Sequence, residues 1–162
     1  MNRQRDFGRR FAAGAAAALV ALLSVAVGAA EDLGYDSKAD PFVQLDQGVA
    51  QAKAEDKLVL LISGGDWCIW CHYLNAFVKN DAEIERDLYD TFVVVKVYVG
   101  DENKNDAFFS NWPEAGGAPH FWVFSTDGNL LSSQPTLVLE DGDKSYDKQK
   151  FLAFIARWMN RA

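Results

Sequence analysis

The spacing of apolar residues predicts alternating helices and strands along most of the chain. A helix begins after the cap pair Asp40-Pro41, because apolar residues then recur every three or four positions. These apolar positions are Phe42, Leu45, Val49 and Ala52. Residues 57–63 follow as a nearly continuous apolar run, which is typical of a strand buried on both faces.

The middle of the chain repeats this alternation with two helices and a second strand. The first of these helices has an apolar face formed by Trp70, Leu74, Phe77 and Val78. Asn80, with Glu83 three residues later, resembles a capping box that starts a short helix to Asp90. Residues 91–99 are rich in β-branched side chains and predict a strand, and a helical turn is expected near Phe108.

The last third of the chain predicts a hairpin and a closing helix. Residues 120–126 and 129–134 flank Asp127-Gly128, a strong signal for a two-residue hairpin turn. The closing helix starts at about Asp147 and carries a stripe formed by Phe151, Ile155, Trp158 and Met159. The order of elements therefore predicts one α/β unit.

The first thirty residues have the pattern of a signal peptide. Four arginines start the chain, residues 11–30 carry no charge, and small residues at 28–30 match the sequence that signal peptidase reads. We expect cleavage before Glu31, export to the periplasm and a mature domain of residues 31–162. A retained membrane anchor is the alternative, because about twenty apolar residues can span a bilayer.

Composition and charge restrict the kinds of molecule that this protein is expected to bind. The chain has 162 residues, of which 49% are hydrophobic and 13% aromatic, and this suits a single globular domain. Residues 31–162 hold 12 Lys and Arg against 22 Asp and Glu, a net charge of −10. A domain this acidic repels phosphate groups, so no nucleic-acid partner is expected.

The candidate chemistry lies in the sequence G-G-D-W-C-I-W-C-H, residues 64–72. Cys68 and Cys71 are the only cysteines of the chain, and they lie between a predicted strand and a predicted helix. The free N–H groups and positive dipole end of a helix start stabilise a thiolate on Cys68. Cys71 lies one turn further on, within reach of a disulfide. The pattern predicts a dithiol exchange site with an exposed nucleophile and a buried resolving thiol.

This motif and the order of elements resemble the thioredoxin-like family of thiol–disulfide oxidoreductases. The chain is most similar to periplasmic members such as the C-terminal domain of DsbD. The resemblance covers roughly residues 40–160: W-C-x-x-C after a strand, a Gly-x-Pro sequence before a hairpin, and a last helix. It implies a thioredoxin fold, a central mixed sheet of about four strands flanked by helices. It also implies that Cys68 attacks, that Cys71 resolves, and that the redox-active disulfide Cys68–Cys71 serves without a further cofactor.

The same resemblance implies a substrate-binding surface around the cysteines. Trp67 would shield the disulfide, and Trp70, between the cysteines, would contact the substrate. Pro119 would follow a cis peptide bond, and the backbone of Ala118 would pair with an extended substrate segment. The expected partners are proteins bearing disulfides or thiols and a membrane or periplasmic thiol electron donor. We expect a monomer.

One position departs from the family pattern. Family members often carry a buried Asp six residues before the first cysteine as proton acceptor for the resolving thiol, whereas this chain has Ile62. Asp66, His72 or water could accept that proton instead. Asp66 and His72 are also the neighbours that could tune the pKa of the cysteines.

Two other functions fit parts of the same motif. C-I-W-C-H is also the attachment pattern of c-type haem, with His72 as proximal ligand and His120 or Met159 as distal ligand. Small cytochromes c are helical, however, and this chain has four strand signals. The second alternative is a redox-inert binding module with a structural disulfide. A metal site is not expected, because two Cys and two His at these positions do not readily give a zinc ligand set. We therefore expect a thiol:disulfide oxidoreductase that acts in the reducing direction.

Overall fold

The structure, a computed structural model, describes residues 31–159 and 161. The predicted signal peptide, residues 1–30, lies outside the described residues. The helices and strands are, in chain order, α1 (Pro41–Glu55), β1 (Leu58–Gly64), α2 (Ile69–Asn80), α3 (Ala82–Thr91), β2 (Phe92–Tyr98), α4 (Asp106–Phe109), β3 (His120–Phe124), β4 (Leu130–Pro135) and α5 (Lys148–Ala156). A 3₁₀ helix, Thr136–Leu139, follows β4 and was not predicted from the sequence.

The four strands form one mixed sheet in the order β2-β1-β3-β4. β1 and β2 are parallel and joined through α2 and α3, whereas β3 is antiparallel to both β1 and β4. In the central strand Leu61 lies opposite Val95 on one side and Trp122 on the other. The predicted α/β class, a mixed four-stranded sheet flanked by helices, is confirmed.

The central strand β1 contributes to two apolar cores. Leu58, Leu60 and Ile62 pack with residues of α2, α3 and α5 on one face of the sheet. Val59 and Leu61 pack with residues of α1 and α4 on the other face. All seven residues of β1 are buried, as the continuous apolar run predicted. Burial of each large aliphatic side chain favours folding by about 1.5–3 kcal/mol, so β1 holds the following loop in place.

Aspartates cap three of the long helices. The carboxylates of Asp40 and Asp147 accept backbone N–H groups at the starts of α1 and α5. α3 is capped by Asp81, which accepts the N–H groups of Glu83 and Ile84. The predicted cap at Asn80 is therefore wrong by one residue. Asn80 is the last residue of α2. The oxygen that reaches the free N–H groups at the start of α3 belongs to the next residue, Asp81.

The hairpin between β3 and β4 has a longer connection than predicted. Phe124 pairs with Leu130, so five residues, 125–129, join the strands in place of a two-residue turn. Ser125 Oγ accepts the N–H groups of Asp127 and Asn129, and these bonds stabilise the wider loop.

The closing helix packs as predicted except at its end. Phe151, Ile155 and Trp158 are buried, whereas Met159 is exposed and Phe154 joins the core instead. In the described part of the chain no helix is long and apolar enough to cross a membrane.

Candidate active site

The two cysteines lie at the start of α2, directly after the loop that ends β1. Cys68 is the N-cap of α2, and its Sγ accepts the backbone N–H of Cys71 at 3.2 Å. The N–H of Cys68 in turn donates to the Gly65 carbonyl at 3.0 Å, which closes the turn before the helix. Cys68 and Cys71 form a disulfide, with Cα atoms 5.2 Å apart. The sulfur of Cys68 therefore has a helix N–H beside it, the group that stabilises a thiolate.

The disulfide is more buried than the sequence predicted. Cys71 is buried as expected, but Cys68 is only 4% exposed, whereas an exposed nucleophile was predicted. Leu33 forms a buried apolar cluster with both cysteines, and Ala118 and Trp70 pack against this cluster. The prediction was wrong for Cys68 because it took no account of a distant segment that folds over α2.

That distant segment comprises residues 31–39 and is called here the 31–39 segment. Leu33 is its buried anchor, and both polar groups of the Leu33 backbone are bonded by side chains from elsewhere. The Leu33 N–H donates to Asp66 Oδ1 at 3.1 Å, and Lys96 Nζ donates to the Leu33 carbonyl at 2.5 Å. The segment is therefore held beside the cysteines by an apolar side chain and by two hydrogen bonds to charged groups.

Both ends of the 31–39 segment have further contacts. Glu31 forms an ion pair with Lys79 at 2.6 Å and accepts a hydrogen bond from Asn75, both on α2. Near the other end, Asn103 donates a side-chain N–H to the Ser37 carbonyl at 3.1 Å. The segment thus spans from α2 to the loop after β2.

Gly64, the last residue of β1, allows a close approach at the resolving cysteine. A Cβ atom on Gly64 would lie 2.5 Å from Cys71 Sγ and 2.9 Å from the Tyr35 hydroxyl. Only a residue without a side chain therefore fits between Cys71 and Tyr35. Burial raises the pKa of Tyr35 well above its usual range, so its phenol stays protonated at neutral pH.

The loop before β3 supplies the next part of the site. The Ala118–Pro119 peptide bond is cis, and Ala118 packs against the cysteine cluster. The Pro119 carbonyl accepts the Thr136 hydroxyl at 2.6 Å, so the 3₁₀ helix supports this loop. Thr136 carried no signal in the sequence, because its bond spans 17 residues.

The exposure of the two tryptophans of the motif differs from what the sequence predicted. Trp67 is 58% exposed, and its indole N–H donates to the Val99 carbonyl at 2.9 Å. Trp70, predicted to be the exposed contact, is half-buried and packs edge-to-face against Tyr73 and Tyr146. Between the cysteines it is Ile69 that is exposed, since Trp70 lies on the face of α2 that meets the core.

Asp66 and His72, the predicted tuning residues, lie next to each other, Asp66 in the loop after β1 and His72 in the first turn of α2. His72 Nε2 lies 2.8 Å from the Asp66 carbonyl, and the Asp66 carboxylate accepts the Leu33 N–H. Both side chains thus have a hydrogen-bond partner other than a cysteine, and both shape the loop that carries Cys68.

With this geometry in place, comparison with known proteins identifies the family. A sequence profile described as thioredoxin-like matches residues 40–125, which is more than half of the chain. The chain belongs to the thioredoxin-like family. A comparison with curated protein sequences gave no match.

Solved structures share the thioredoxin-like fold. The disulphide isomerase from Xylella fastidiosa Temecula1 is 24% identical with a TM-score of 0.62, covering 78% of this chain and 96% of its own. The oxidised C-terminal domain of DsbD from Neisseria meningitidis is 21% identical with a TM-score of 0.54, covering 74% and 97%. The predicted family and fold are therefore confirmed. Family membership and the adjacent cysteine pair likewise confirm the predicted class of activity, a thiol:disulfide oxidoreductase.

The thioredoxin-like site departs from the family pattern beneath Cys71. Ile62 is buried there and lies opposite Lys96 in the sheet. A cavity of about 30 Å³ borders Tyr35, Ile62, Cys71 and Lys96 among others. This volume is enough for one water molecule. Burial lowers the pKa of Lys96, which has no carboxylate among its hydrogen-bond partners in the described residues.

The three residues that the haem alternative needs as iron ligands lie in different parts of this thioredoxin-like fold. His72 contacts the Asp66 carbonyl, His120 is buried in β3 with Nε2 2.8 Å from Ser133 Oγ, and Met159 follows α5. Within residues 31–159 and 161, no three His, Cys, Asp or Glu side chains cluster as a metal site would require.

Proposed function

We propose that this protein is exported and reduces disulfides in other proteins through Cys68 and Cys71. The observation that carries the proposal is the position of Cys68: it caps α2, accepts the N–H of Cys71 and lies beside Cys71 in one disulfide. An N-cap sulfur with a partner thiol one turn away has the arrangement that disulfide exchange requires.

The exchange takes place in two balanced steps. The Cys68 thiolate attacks one sulfur of the substrate disulfide, a mixed disulfide forms, and the other substrate sulfur leaves as a thiolate that takes up a proton. The Cys71 thiolate then attacks Cys68 Sγ, which forms the Cys68–Cys71 disulfide and releases the second substrate thiolate. The substrate gains two electrons and two protons, and the dithiol of this protein loses them.

The proton of Cys71 needs an acceptor other than the usual buried Asp. We propose a water molecule in the small cavity beside Cys71, because Ile62 cannot accept a proton and the Asp66 carboxylate already binds Leu33. Tyr35 also borders this cavity, but its raised pKa keeps it protonated.

The proposed substrate surface is formed by Trp67 and Ala118, and Pro119, which follows Ala118, is buried beside it. Trp67 offers an exposed ring next to Cys68, and the backbone of Ala118 lies beside the cysteine cluster where an extended segment could pair. Trp70 supports this surface from within, because its ring packs against Tyr73 and Tyr146.

The reducing direction follows from the charges around the pair. Ile69 and Trp70 bring no positive charge between the cysteines, and the domain carries a net charge of −10. The helix start favours the thiolate by at most about 2 kcal/mol at a site as buried as that of Cys68. We therefore expect a potential between about −180 and −270 mV, with no cofactor besides the disulfide. A measured potential above about −150 mV would reverse the proposed direction.

The principal test uses the two cysteine variants as a matched pair. Cys71→Ser should accumulate mixed disulfides with substrate proteins through Cys68, and Cys68→Ser should not. Non-reducing gels of periplasmic extracts would show the adducts. Equal trapping by both variants would contradict the roles assigned, and absence of insulin-disulfide reduction by the wild type would indicate a structural disulfide instead.

A second test addresses export and the predicted domain boundary. Secreted protein should begin at Glu31, or one residue earlier, when its N-terminus is determined by mass spectrometry. Recovery of the intact chain in the membrane fraction would favour the anchor over the cleaved signal peptide.

A further inference from the structure

A second surface of the active site is a large groove beside the cis-proline loop. Its volume is about 620 Å³. We call it the aromatic groove, because its walls include Trp67, Phe109, Trp112 and Trp122, with Ala118 at the end nearest the cysteines. Trp67 directly precedes Cys68, and Ala118 packs against the cysteine cluster. A substrate segment at Cys68 therefore has this groove next to it.

The groove carries more negative than positive charge. Three carboxylates line it, those of Asp101, Asp106 and Glu114, against one cation, Lys104. All four residues are exposed. Within the described residues none of the three carboxylates forms an ion pair. Their charges are therefore available to an occupant of the groove.

Trp122, a buried residue of the groove wall, has an indole N–H donor that no described residue uses. Trp122 is 1% exposed, and its indole N–H has no hydrogen-bond partner among the described residues. An unpaired buried N–H is unfavourable by about 1–3 kcal/mol relative to a bonded one. This donor lies behind the surface of the groove wall.

We propose that the aromatic groove binds a lysine or arginine side chain next to the disulfide of the substrate protein. The inference rests on the proposed function and names a substrate class for it. Aromatic faces attract a cation and pack against its aliphatic stem, and the carboxylates attract its charge. An acidic side chain would meet three like charges, and an aliphatic one would leave them unpaired.

The test compares disulfide peptides that differ only in the residue flanking the cysteine. The flanking residue is Lys, Gln or Glu, and the readout is kcat/KM for reduction by the full-length reduced protein. We expect the Lys peptide to be reduced about three- to tenfold faster than the Glu peptide at low salt. The difference should shrink at high salt, which screens exposed charges.

A matched pair of triple variants locates the effect. Asp101→Asn, Asp106→Asn and Glu114→Gln together neutralise the groove. Asp46→Asn, Asp90→Asn and Asp143→Asn change the net charge equally at exposed positions that do not line it. The preference for Lys should disappear in the first variant and persist in the second. Reaction with dithiothreitol should be the same in both.

Each other outcome overturns the inference. Equal rates for the three peptides, or a preference for Glu, would show that the groove does not select a cation. Loss of the preference in both triple variants, or its persistence in both, would assign it to a source outside the groove. If no peptide is reduced while dithiothreitol reacts normally, the proposed function fails, and this inference fails with it.

Discussion

The 31–39 segment and the aromatic groove are two surfaces of one redox site, and they differ in how completely their polar groups are paired. In the segment, Leu33 packs on the cysteines while its N–H and carbonyl bond to Asp66 and Lys96. Around the groove, three carboxylates that form no ion pair with the described residues line an open volume of about 620 Å³. The first surface is covered by the chain itself, whereas the second still has groups to offer a partner.

This difference has a consequence for access to Cys68. A substrate disulfide must reach Cys68 Sγ, yet Cys68 is only 4% exposed while Leu33 packs on it. We therefore expect the exposure of the sulfur to depend on local opening of the segment, in the way that local unfolding controls access in other proteins. The groove then provides the contacts that select the substrate. Variants that change one surface can therefore be compared with variants at the other surface or at an exposed site.

The largest effect is expected from Leu33→Ala. Truncation of a buried leucine typically lowers the free energy of unfolding by about 2–5 kcal/mol. Here the loss weakens the packing of the 31–39 segment on the cysteines. A change of about 1.4 kcal/mol in the free energy of this packing changes the fraction of molecules with the segment detached about tenfold. We expect dithiothreitol to reduce the Cys68–Cys71 disulfide about tenfold faster, as followed by tryptophan fluorescence.

The control for Leu33→Ala is Leu137→Ala. Leu137 is 70% exposed on the 3₁₀ helix, so the same truncation removes few contacts. Its rate of reduction should match the wild type. An unchanged rate in Leu33→Ala would mean that the segment does not limit access to the disulfide.

The next effect compares two glycines, one at each surface. Gly64→Ala places a methyl group 2.5 Å from Cys71 Sγ, and overpacking of this kind lowers the free energy of unfolding by about 1–3 kcal/mol. Gly117→Ala, at the groove, meets no atom of the described residues within 4 Å and should change stability by less than about 0.5 kcal/mol. Urea unfolding measures both. Similar losses in the two variants would argue against close packing at Cys71.

A smaller effect is expected from Lys96→Met. The substitution keeps most of the apolar stem but removes the bond to the Leu33 carbonyl. Since burial already lowers the pKa of Lys96, part of the bond energy is offset by desolvation, and we expect a loss of about 1 kcal/mol. Reduction by dithiothreitol should become a few times faster. Lys104→Met, which removes the groove cation, should leave that rate unchanged and serves as the control.

The smallest effect concerns His120, which lies behind the groove wall against Trp122. Burial lowers its pKa from 6.5, so the unfolded chain binds a proton more readily than the folded one. Its contribution to stability is therefore present above pH 6.5 and is lost as the pH falls toward the lowered value. The slope is at most about 1.4 kcal/mol per pH unit.

The His120→Gln variant isolates this contribution. Gln keeps a donor for Ser133 but does not titrate, so stability should fall less between pH 7.5 and 5.5 than in the wild type. Urea unfolding at a series of pH values measures the difference. Identical slopes in the two proteins would contradict a lowered pKa for His120.

Local sequence signals were sufficient to predict the strand and helices that carry the site. The apolar run of β1, the cysteine pair at the start of α2 and the apolar stripe of α5 all come from neighbouring residues whose spacing sets which face is buried. These signals placed Cys68 and Cys71 at a strand-to-helix junction and predicted the family correctly. They were wrong by one residue at the start of α3, where Asp81 and not Asn80 caps the helix.

Only the tertiary structure decided what surrounds the cysteines. The hydrogen bonds of Leu33 to Asp66 and Lys96 span 33 and 63 residues, and the 31–39 segment has no periodic pattern from which they could be predicted. Whether Trp67 or Trp70 is exposed likewise depends on where α2 packs against Tyr146. Burial of a sulfur is a property of the atoms that fold over it, and those atoms are fixed by long-range packing that the spacing of residues within one element does not encode.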